Sequence, residues 1–390
     1  GFSAKYGDKL SSVVEIEQRA GSYEKFFGKI NLSGTGFGAN FEGPISKKNR
    51  SSWLISARRS YLDLIFNAAG FSFVPEYTDF QAKADFKLNN KNFIEFNSFG
   101  ALDKVRFNND TEENKQNNLT ILKNNQNSYS AGILWKTLLN KNSFLVTSVA
   151  RNYSNYNFSQ RDSNFTEVFR NDSKESDVQL KLDYSSRLGS STFISLGGAG
   201  KRLKLNYDID KKADTLYYID PNTGNNIIVP AVTVLENINT YKAFAYAEIV
   251  QSFMKRLKLT AGVRYDYFDL INKKSYISPR TSLAITITPV FSVNLSYGIF
   301  HQSPSNIWIV GSEKNKDILI HFINDIMGFK DGDLIKDVSF LSPVQDPEIA
   351  YKKQSAVDVL CEAENGTKII VEMQVAPFKG FEKRAQYYAA

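Results

Sequence analysis

The chain has 390 residues, 42% of them hydrophobic and 23% charged, the balance of a folded protein long enough for two or three ordinary domains or one large all-β structure. Its net charge of +7 comes from scattered Lys and Arg with no run of five or more, which speaks against a focused nucleic-acid patch. One cysteine, Cys361, excludes an intrachain disulfide and a cysteine zinc site; two histidines, His301 and His321, are poor material for a histidine metal site or a Ser/His/Asp triad.

The opening "GFSAKYGDK" has no methionine, basic n-region or apolar h-region, so either a removed leader or an internal fragment is expected. No segment reaches the eighteen or so apolar residues of a membrane helix. From about residue 26 to 302 the chain instead alternates. In "RLKLTAGVRYDYFDL", Leu257, Leu259, Ala261, Val263, Tyr265 and Tyr267 take one side, and Lys258, Thr260, Arg264 and Asp266 the other. In "DVQLKLDY", Val178, Leu180, Leu182 and Tyr184 oppose Asp177, Gln179, Lys181 and Asp183. The same alternation runs through 79–88, 202–210, 282–288 and 293–300, giving roughly a dozen strands of about ten residues, the length of membrane-spanning strands.

Short links (89–92, 140–142) alternate with long polar ones (103–127, 208–226), so one end of the sheet is expected to carry tight turns and the other long loops. Aromatics make up 13% of the chain, and Tyr61, Tyr77, Tyr129, Tyr153, Tyr184, Tyr207, Tyr265, Tyr267 and Phe300 fall near strand ends, where interfacial girdles would place them. A soluble antiparallel sandwich alternates too, but its strands average five or six residues, which favours a polar-lined membrane barrel.

Here the residues carry a resemblance. "GFSAKYGDKLSSVVEIEQRAG" (1–21) resembles the end of the plug domain of TonB-dependent outer-membrane receptors, where an "RYGD" segment leads into a final plug strand. "SSWLISARRSYLDLIF" (51–66), "LTAGVRYDYF" (259–268), "SPRTSLAI" (278–285) and "LSYGIFHQSPSNIWIV" (295–310) resemble barrel strands of that family, in order. The resemblance implies residues 1–25 as the end of a plug and 26–310 as a partial barrel in outer-membrane lipid. It further implies import of a scarce, bulky solute, energised by the transducer TonB. About half of the roughly 22 strands of such a barrel are written here. Most of the plug and the transducer-contacting segment are not, so this chain alone is expected not to transport.

After "IWIVG" the period becomes helical. Ile318, Leu319, Phe322, Ile323, Ile326 and Met327 form one face, Ser312 is placed to cap the start, and Gly328 the end. A short strand is expected at 335–341, followed by a hairpin about Asn365-Gly366. Asn365-Gly366-Thr367 also matches a glycosylation sequon, which within a turn is read as chance. The hairpin's ladder brings Asp358 and Glu372 to neighbouring positions on one face. They are either solvent-facing acids of an amphipathic hairpin or a seat for a hard cation such as Mg2+.

"GSEKNKDILIHFINDIM", "VDVLCEAENGTKIIVEMQ" and "FEKRAQYYA" together resemble the PD-(D/E)XK nuclease family transposases. That resemblance implies a truncated α/β nuclease-like module over 311–390 with Asp358, Glu372 and Gln374 as the active-site core, Asp358 and Glu372 as Mg2+ ligands, and DNA as partner. Gln374 stands where the superfamily has lysine; Lys368 and Arg384 are the available substitutes. The two resemblances meet at Val310–Ser312, around Gly311. A barrel belongs in the outer membrane and a DNA nuclease in the cytoplasm, so the chain reads as a chimera. Its function is then barrel transport, Mg2+-dependent DNA cleavage, or neither.

Overall fold

The computed structural model describes residues 2–10, 12–119, 121–162, 164–219, 226–229, 231–254, 256–271, 273–303 and 306, and four short strands beyond them. The chain divides into two compact units, Gly1–Lys212 with Thr233–Ile309, and Ala213–Val232 with Val310–Ala390.

The first unit is built on one antiparallel meander. Its strands are β1 (Phe27–Leu32), β2 (Gly36–Ser46), β3 (Ser51–Ser60), β4 (Phe73–Lys87), β5 (Asn92–Phe107), β6 (Lys123–Leu138), β7 (Ser143–Arg161), β8 (Glu167–Leu188) and β9 (Thr192–Lys211). After the separate hairpin β10 (Asp214–Ile219) and β11 (Asn226–Val229), the meander resumes with β12 (Val232–Phe253), β13 (Leu257–Phe268), β14 (Ser275–Thr288) and β15 (Phe291–Gly298). The 13 strands pair in chain order, and the sheet is unclosed, with β1 and β15 as its edges. No helix among the described residues is long and apolar enough to cross a membrane; α1 (Leu62–Ala68) and α2 (Glu112–Leu119) sit in the long connections.

The two ends of the sheet differ as the spacing of the turn residues predicts. At one end lie tight turns such as 88–91 and 139–142. Leu88 N–H donates to Asn92 O at 3.0 Å, and the Asn89 side chain accepts from the backbone of Lys91 and Asn92. The turn after β8 is made by Gly189 at φ +66°, which only glycine adopts without strain. The other end bears the long connections 61–72, 108–122 and 212–231, and α2 starts there because Thr111 Oγ1 accepts from Asn114 N–H at 3.1 Å while Glu112 and Glu113 meet the helix dipole.

Alternation is realised as two chemically opposite faces. Ala84, Phe96, Ile133, Val149 and Leu180 stand side by side across β4 to β8. This face is open: Ile133 is 53% exposed, Val149 48% and Leu180 51%. An apolar row of this extent on an exposed sheet is a surface for lipid, not water. The opposite, inner face carries Lys83, Asp85, Glu95, Asn152, Asp177, Lys181, Asp183, Arg264 and Asp266. Its charges are paired: Lys83 with Glu95 at 3.0 Å, Lys201 with Asp177 at 3.0 Å and Lys181 with Asp183 at 2.7 Å.

Two expectations change. The strands run well past ten residues, reaching 22 in β8 and β12. At about 3.3 Å per residue and a 45° tilt, such a strand is about twice as tall as the roughly 25 Å apolar band. Segments 103–107 and 123–127, read as loop, belong to these extensions. On the outer side of β4 and β5, Glu76 pairs with Lys104 at 3.0 Å and Arg106 at 3.1 Å.

The phase also inverts. In "RLKLNYDID" the apolar Leu203, Leu205, Tyr207 and Ile209 are buried on the inner face, and Arg202 and Lys204 point outward. Tyr207 is therefore no girdle residue; its hydroxyl donates to Glu175. Tyr77 and Phe300 likewise face inward, whereas Tyr129 and Tyr153 stack on the outer face with ring centroids 5.4 Å apart.

A charge inserted at Val149 meets lipid, whereas one at Gln179, on the other face of the neighbouring strand, does not. Val149→Arg is expected to cost about 2–4 kcal/mol in denaturant unfolding of the micelle-folded chain, with Gln179→Arg nearly neutral.

Candidate functional site

The described residues of 2–22 form no strand of the sheet, yet they are held on its inner face. The hold is made by two buried arginines that the alternation of β13 and β14 points inward. Arg264 is 3% exposed and Arg280 8%.

The Arg264 guanidinium is fixed from below by Asp266, with Nε to Oδ1 at 2.8 Å and Nη2 to Oδ1 at 2.7 Å, and lies over the Phe244 ring at 3.8 Å. Its Nη1 donates to the carbonyls of Ala4 at 3.3 Å and Lys5 at 3.0 Å. Arg280 Nη1 donates to Ser3 O at 2.8 Å and Tyr6 O at 2.6 Å, between the rings of Phe2 and Phe300. A planar guanidinium suits this task because it donates in a fixed fork and stacks on aromatic faces at once. Ala4 N–H completes the clamp by donating to Glu248 Oε2 at 2.8 Å.

The close approach depends on small residues. A Cβ on Gly7 would lie 2.0 Å from Arg264 Nε, and one on Gly262 2.9 Å from the Ala4 Cβ. Asp8, at φ +58°, turns the chain so that its carboxylate accepts from Ser303 N–H at 2.6 Å, Ser303 Oγ at 2.7 Å and Lys242 Nζ at 3.0 Å. Asp8 thus ties the start of the chain to the segment leaving β15. His301 in that segment lies 3.0 Å from Ser278 Oγ and rests on the Tyr276 ring at 4.5 Å. Farther along, Lys83 Nζ donates to Gln18 O at 2.7 Å, and Arg19 pairs with Glu42.

Burial works to raise the Asp8 carboxyl, but Lys242 and the two Ser303 donors outweigh it and hold the group below the ordinary aspartate range. Burial, reinforced by the Glu15 carboxylate that accepts its hydrogen bond at 2.7 Å, pushes the Tyr6 phenol up to about 12, so it remains a donor.

The sequence placed Arg264 and Asp266 on the polar side of β13 and singled out "KYGD"; Arg280, Lys242 and Ser303 gained no role from it. The signal available was an arginine on the polar side of each of two successive strands.

In the second unit, β16 (Val344–Gln345) pairs with β17 (Ser355–Ala356), and β18 (Val359–Glu362) with β19 (Lys368–Val371). The last pair is the expected hairpin, in register from Val359–Val371 to Glu362–Lys368. Asp358 directly precedes β18 and Glu372 directly follows β19; both, with Gln374, lie outside the described residues, as do the helix expected after Gly311 and the strand at 335–341. Among the described residues no group of three or more His, Cys, Asp or Glu is placed to bind a metal.

Residues 52–308 match the family model for the TonB dependent receptor-like β-barrel, and residues 307–390 that for the PD-(D/E)XK nuclease family transposase. No curated protein matches the chain. Among similar solved structures, a ferric enterobactin receptor (PfeA) mutant from Pseudomonas aeruginosa is 13% identical at a TM-score of 0.51, with 77% of this chain and 46% of that one covered. The copper transporter OprC is 11% identical at 0.51, covering 74% and 47%. The FpvAI–pyocin S2 complex gives 10% and 0.52, covering 73% and 42%. At such identities the likeness is one of fold, and the chain spans less than half the length of these proteins.

Two outcomes test the clamp. Gly7→Val drives a side chain into Arg264 and is expected to speed tryptic cleavage after Lys5 and Lys9 several-fold, while Gly34→Val, in open space, leaves it unchanged. Because the folded pKa of Asp8 is lowered, its ionised form stabilises the seated segment above the ordinary aspartate range, and that contribution is lost as pH falls through the lowered value. Protection of residues 2–8 from an acid-active protease should therefore drop as pH falls below the ordinary aspartate range, and Asp8→Asn should flatten the drop.

Proposed function

Because the chain belongs to the TonB dependent receptor-like β-barrel family through residues 52–308, we propose that residues 1–310 are a portion of an outer-membrane transport barrel. In this reading residues 1–25 are the end of its plug and 26–310 its partial barrel wall. The observation that carries it is the two-faced sheet: a continuous exposed apolar row on one side, and on the other an ion-paired polar wall that seats a non-sheet segment through Arg264 and Arg280. A polar wall lets a hydrated solute pass, and a segment held by carbonyl hydrogen bonds is displaceable without breaking a hydrophobic core. The partners are outer-membrane lipid, a scarce bulky solute and the transducer TonB. The unclosed sheet does not isolate a lumen by itself.

The match of residues 307–390 and the hairpin β18–β19 support a second reading, a nuclease module over 311–390 in which Asp358 and Glu372 hold Mg2+ and Gln374 completes the site on DNA. Two carboxylates and an amide carbonyl are hard oxygen donors, the set that suits this ion. Bound there, Mg2+ supplies charge neutralisation and an activated water for phosphodiester hydrolysis. That module would work in the cytoplasm, so one chain does not readily serve both readings, and a fusion with neither activity is the third outcome.

The full chain in detergent micelles is expected to give a β-rich species whose gel mobility shifts on heating; a water-soluble monomer would contradict the barrel. Mg2+-dependent nicking of supercoiled DNA that falls to background in Asp358→Ala would establish the nuclease, and nicking that survives the substitution would remove it.

A further inference from the structure

The last strand of the meander stops short of its neighbour. β14 keeps pairing with β13 out to Ser275–Tyr267, but its pairing with β15 ends at Arg280–Gly298. The cause is Pro279. Ile299 N–H donates to Pro279 O at 3.0 Å, and proline has no N–H to return the bond, so the rung that would carry β15 along β14 is half made. The chain leaves the ladder there and turns across the inner face, instead of running on beside Ser278, Ile277 and Tyr276.

Its contacts trace the path. The Phe300 ring lies 4.5 Å from the Arg280 guanidinium and 4.7 Å from the Phe2 ring, and His301 Nδ1 meets Ser278 Oγ at 3.0 Å, still over β14. Ser303 has reached β12, where Lys242 Nζ donates to its Oγ at 2.7 Å. Asn306 Nδ2 donates to Glu175 Oε2 of β8 at 3.2 Å, and the other oxygen of that carboxylate accepts from the Tyr207 hydroxyl. The seven steps from Ile299 to Asn306 reach about 23 Å at about 3.3 Å each, enough for the four spacings of about 4.8 Å between β14 and β8. The direction is across the strands, not along them.

Phe300 and Ser303 are also where the start of the chain is held. Arg280 lies between the Phe2 and Phe300 rings while it donates to Ser3 O and Tyr6 O, and Asp8 accepts from Ser303 N–H and Oγ. Glu175 and Asn306 share no hydrogen bond with residues 2–8 among the described residues, so their bond anchors the crossing segment from outside the clamp. Resting on the barrel reading above, we propose that Phe300, Ser303 and Asn306 belong to a strap that crosses the inner face and keeps residues 2–8 seated, with Glu175 as its distal anchor. The strap has an alternative seat, the edge of β14 at 275–278, which has no strand on that side among the described residues. Release of Asn306 frees the segment toward that edge and draws the Ser303 donors from Asp8 and the Phe300 ring from Arg280. Withdrawal of the strap and loosening of the chain's start are then one event.

The test uses the full chain folded in detergent micelles, with mass spectrometry reading the rate at which trypsin cleaves after Lys5 and Lys9. Asn306→Asp sets a carboxylate against Glu175 and is expected to speed both cleavages several-fold with unchanged circular dichroism. In the double variant E175Q/N306D the amide introduced at position 175 donates to the carboxylate introduced at 306, and its oxygen still accepts from Tyr207, so the rate is expected to return close to that of the unsubstituted chain. A rate unmoved by Asn306→Asp, or a double variant cleaved as fast as the single one, overturns the strap. A chain with no β-rich micelle-bound form fails earlier, at the dichroism stage, and overturns the barrel reading and the strap with it.

Discussion

The structure depends on one constraint: a sheet that meets lipid on one face and water on the other must satisfy every backbone donor and acceptor within its own ladder. Lipid offers no alternative partner, and each group left open there costs several kcal/mol. The 13-stranded meander meets the constraint along its interior through near-continuous pairing, as from Ser143–Ser186 to Gln160–Phe169 between β7 and β8. Side-chain chemistry then follows from geometry, because successive residues point to opposite media. Ile133, Val149 and Leu180 on one side and Asn152, Asp177 and Lys181 on the other are products of the same ladder.

The inner face is where this order is put to use. Many charged side chains there pair with each other, as Lys83 with Glu95 and Lys181 with Asp183, and what holds residues 2–8 is a small surplus of donors. Arg264 and Arg280 supply it. Each is buried, oriented by an aromatic ring, and aimed at main-chain carbonyls. Recognition of carbonyls fixes the path of residues 2–8 while asking little of most of their side chains; the exceptions are Phe2, packed on Arg280 and Phe300, Gly7, which lies under Arg264, and Asp8. Asp8 and Ser303 add a second point of attachment, joining the first residues of the chain to those that follow the last strand of the meander.

Much of this was legible in the sequence. The alternation in "RLKLTAGVRYDYFDL" placed Arg264 beside Asp266, and the turn residues of 89–92 and 140–142 marked the short-turn end. What was not legible has definite causes. Alternation has two phases, and nothing local says which face is inside: β9 keeps its alternation yet buries Leu203, Leu205 and Tyr207 inward once it leaves the apolar band. Strand ends were drawn too short because polar extensions such as 103–107 look like loop. A guanidinium that binds carbonyls leaves no mark on its partner, since every residue has a carbonyl; Arg280 therefore looked like any polar-side residue. The hairpin about Asn365-Gly366 was found because its turn chemistry is local.

The parity of the meander limits what can complete it. In an antiparallel series of 13 strands the first and last run in the same direction, so β1 and β15 are parallel to one another. Closure of the sheet on itself would put a parallel pair at the seam. A second copy in the same membrane orientation would make two such seams, β15 against β1 each time. Antiparallel pairing at both edges instead requires a complement that begins and ends with strands of the opposite direction, hence an odd number of them. Nine would give the roughly 22 strands of an outer-membrane transporter, and the relatives of which this chain covers less than half have the length to hold them. The exposed alternation of β15, with Phe291, Leu295 and Tyr297 outward, is already that of an interior barrel strand awaiting its neighbour.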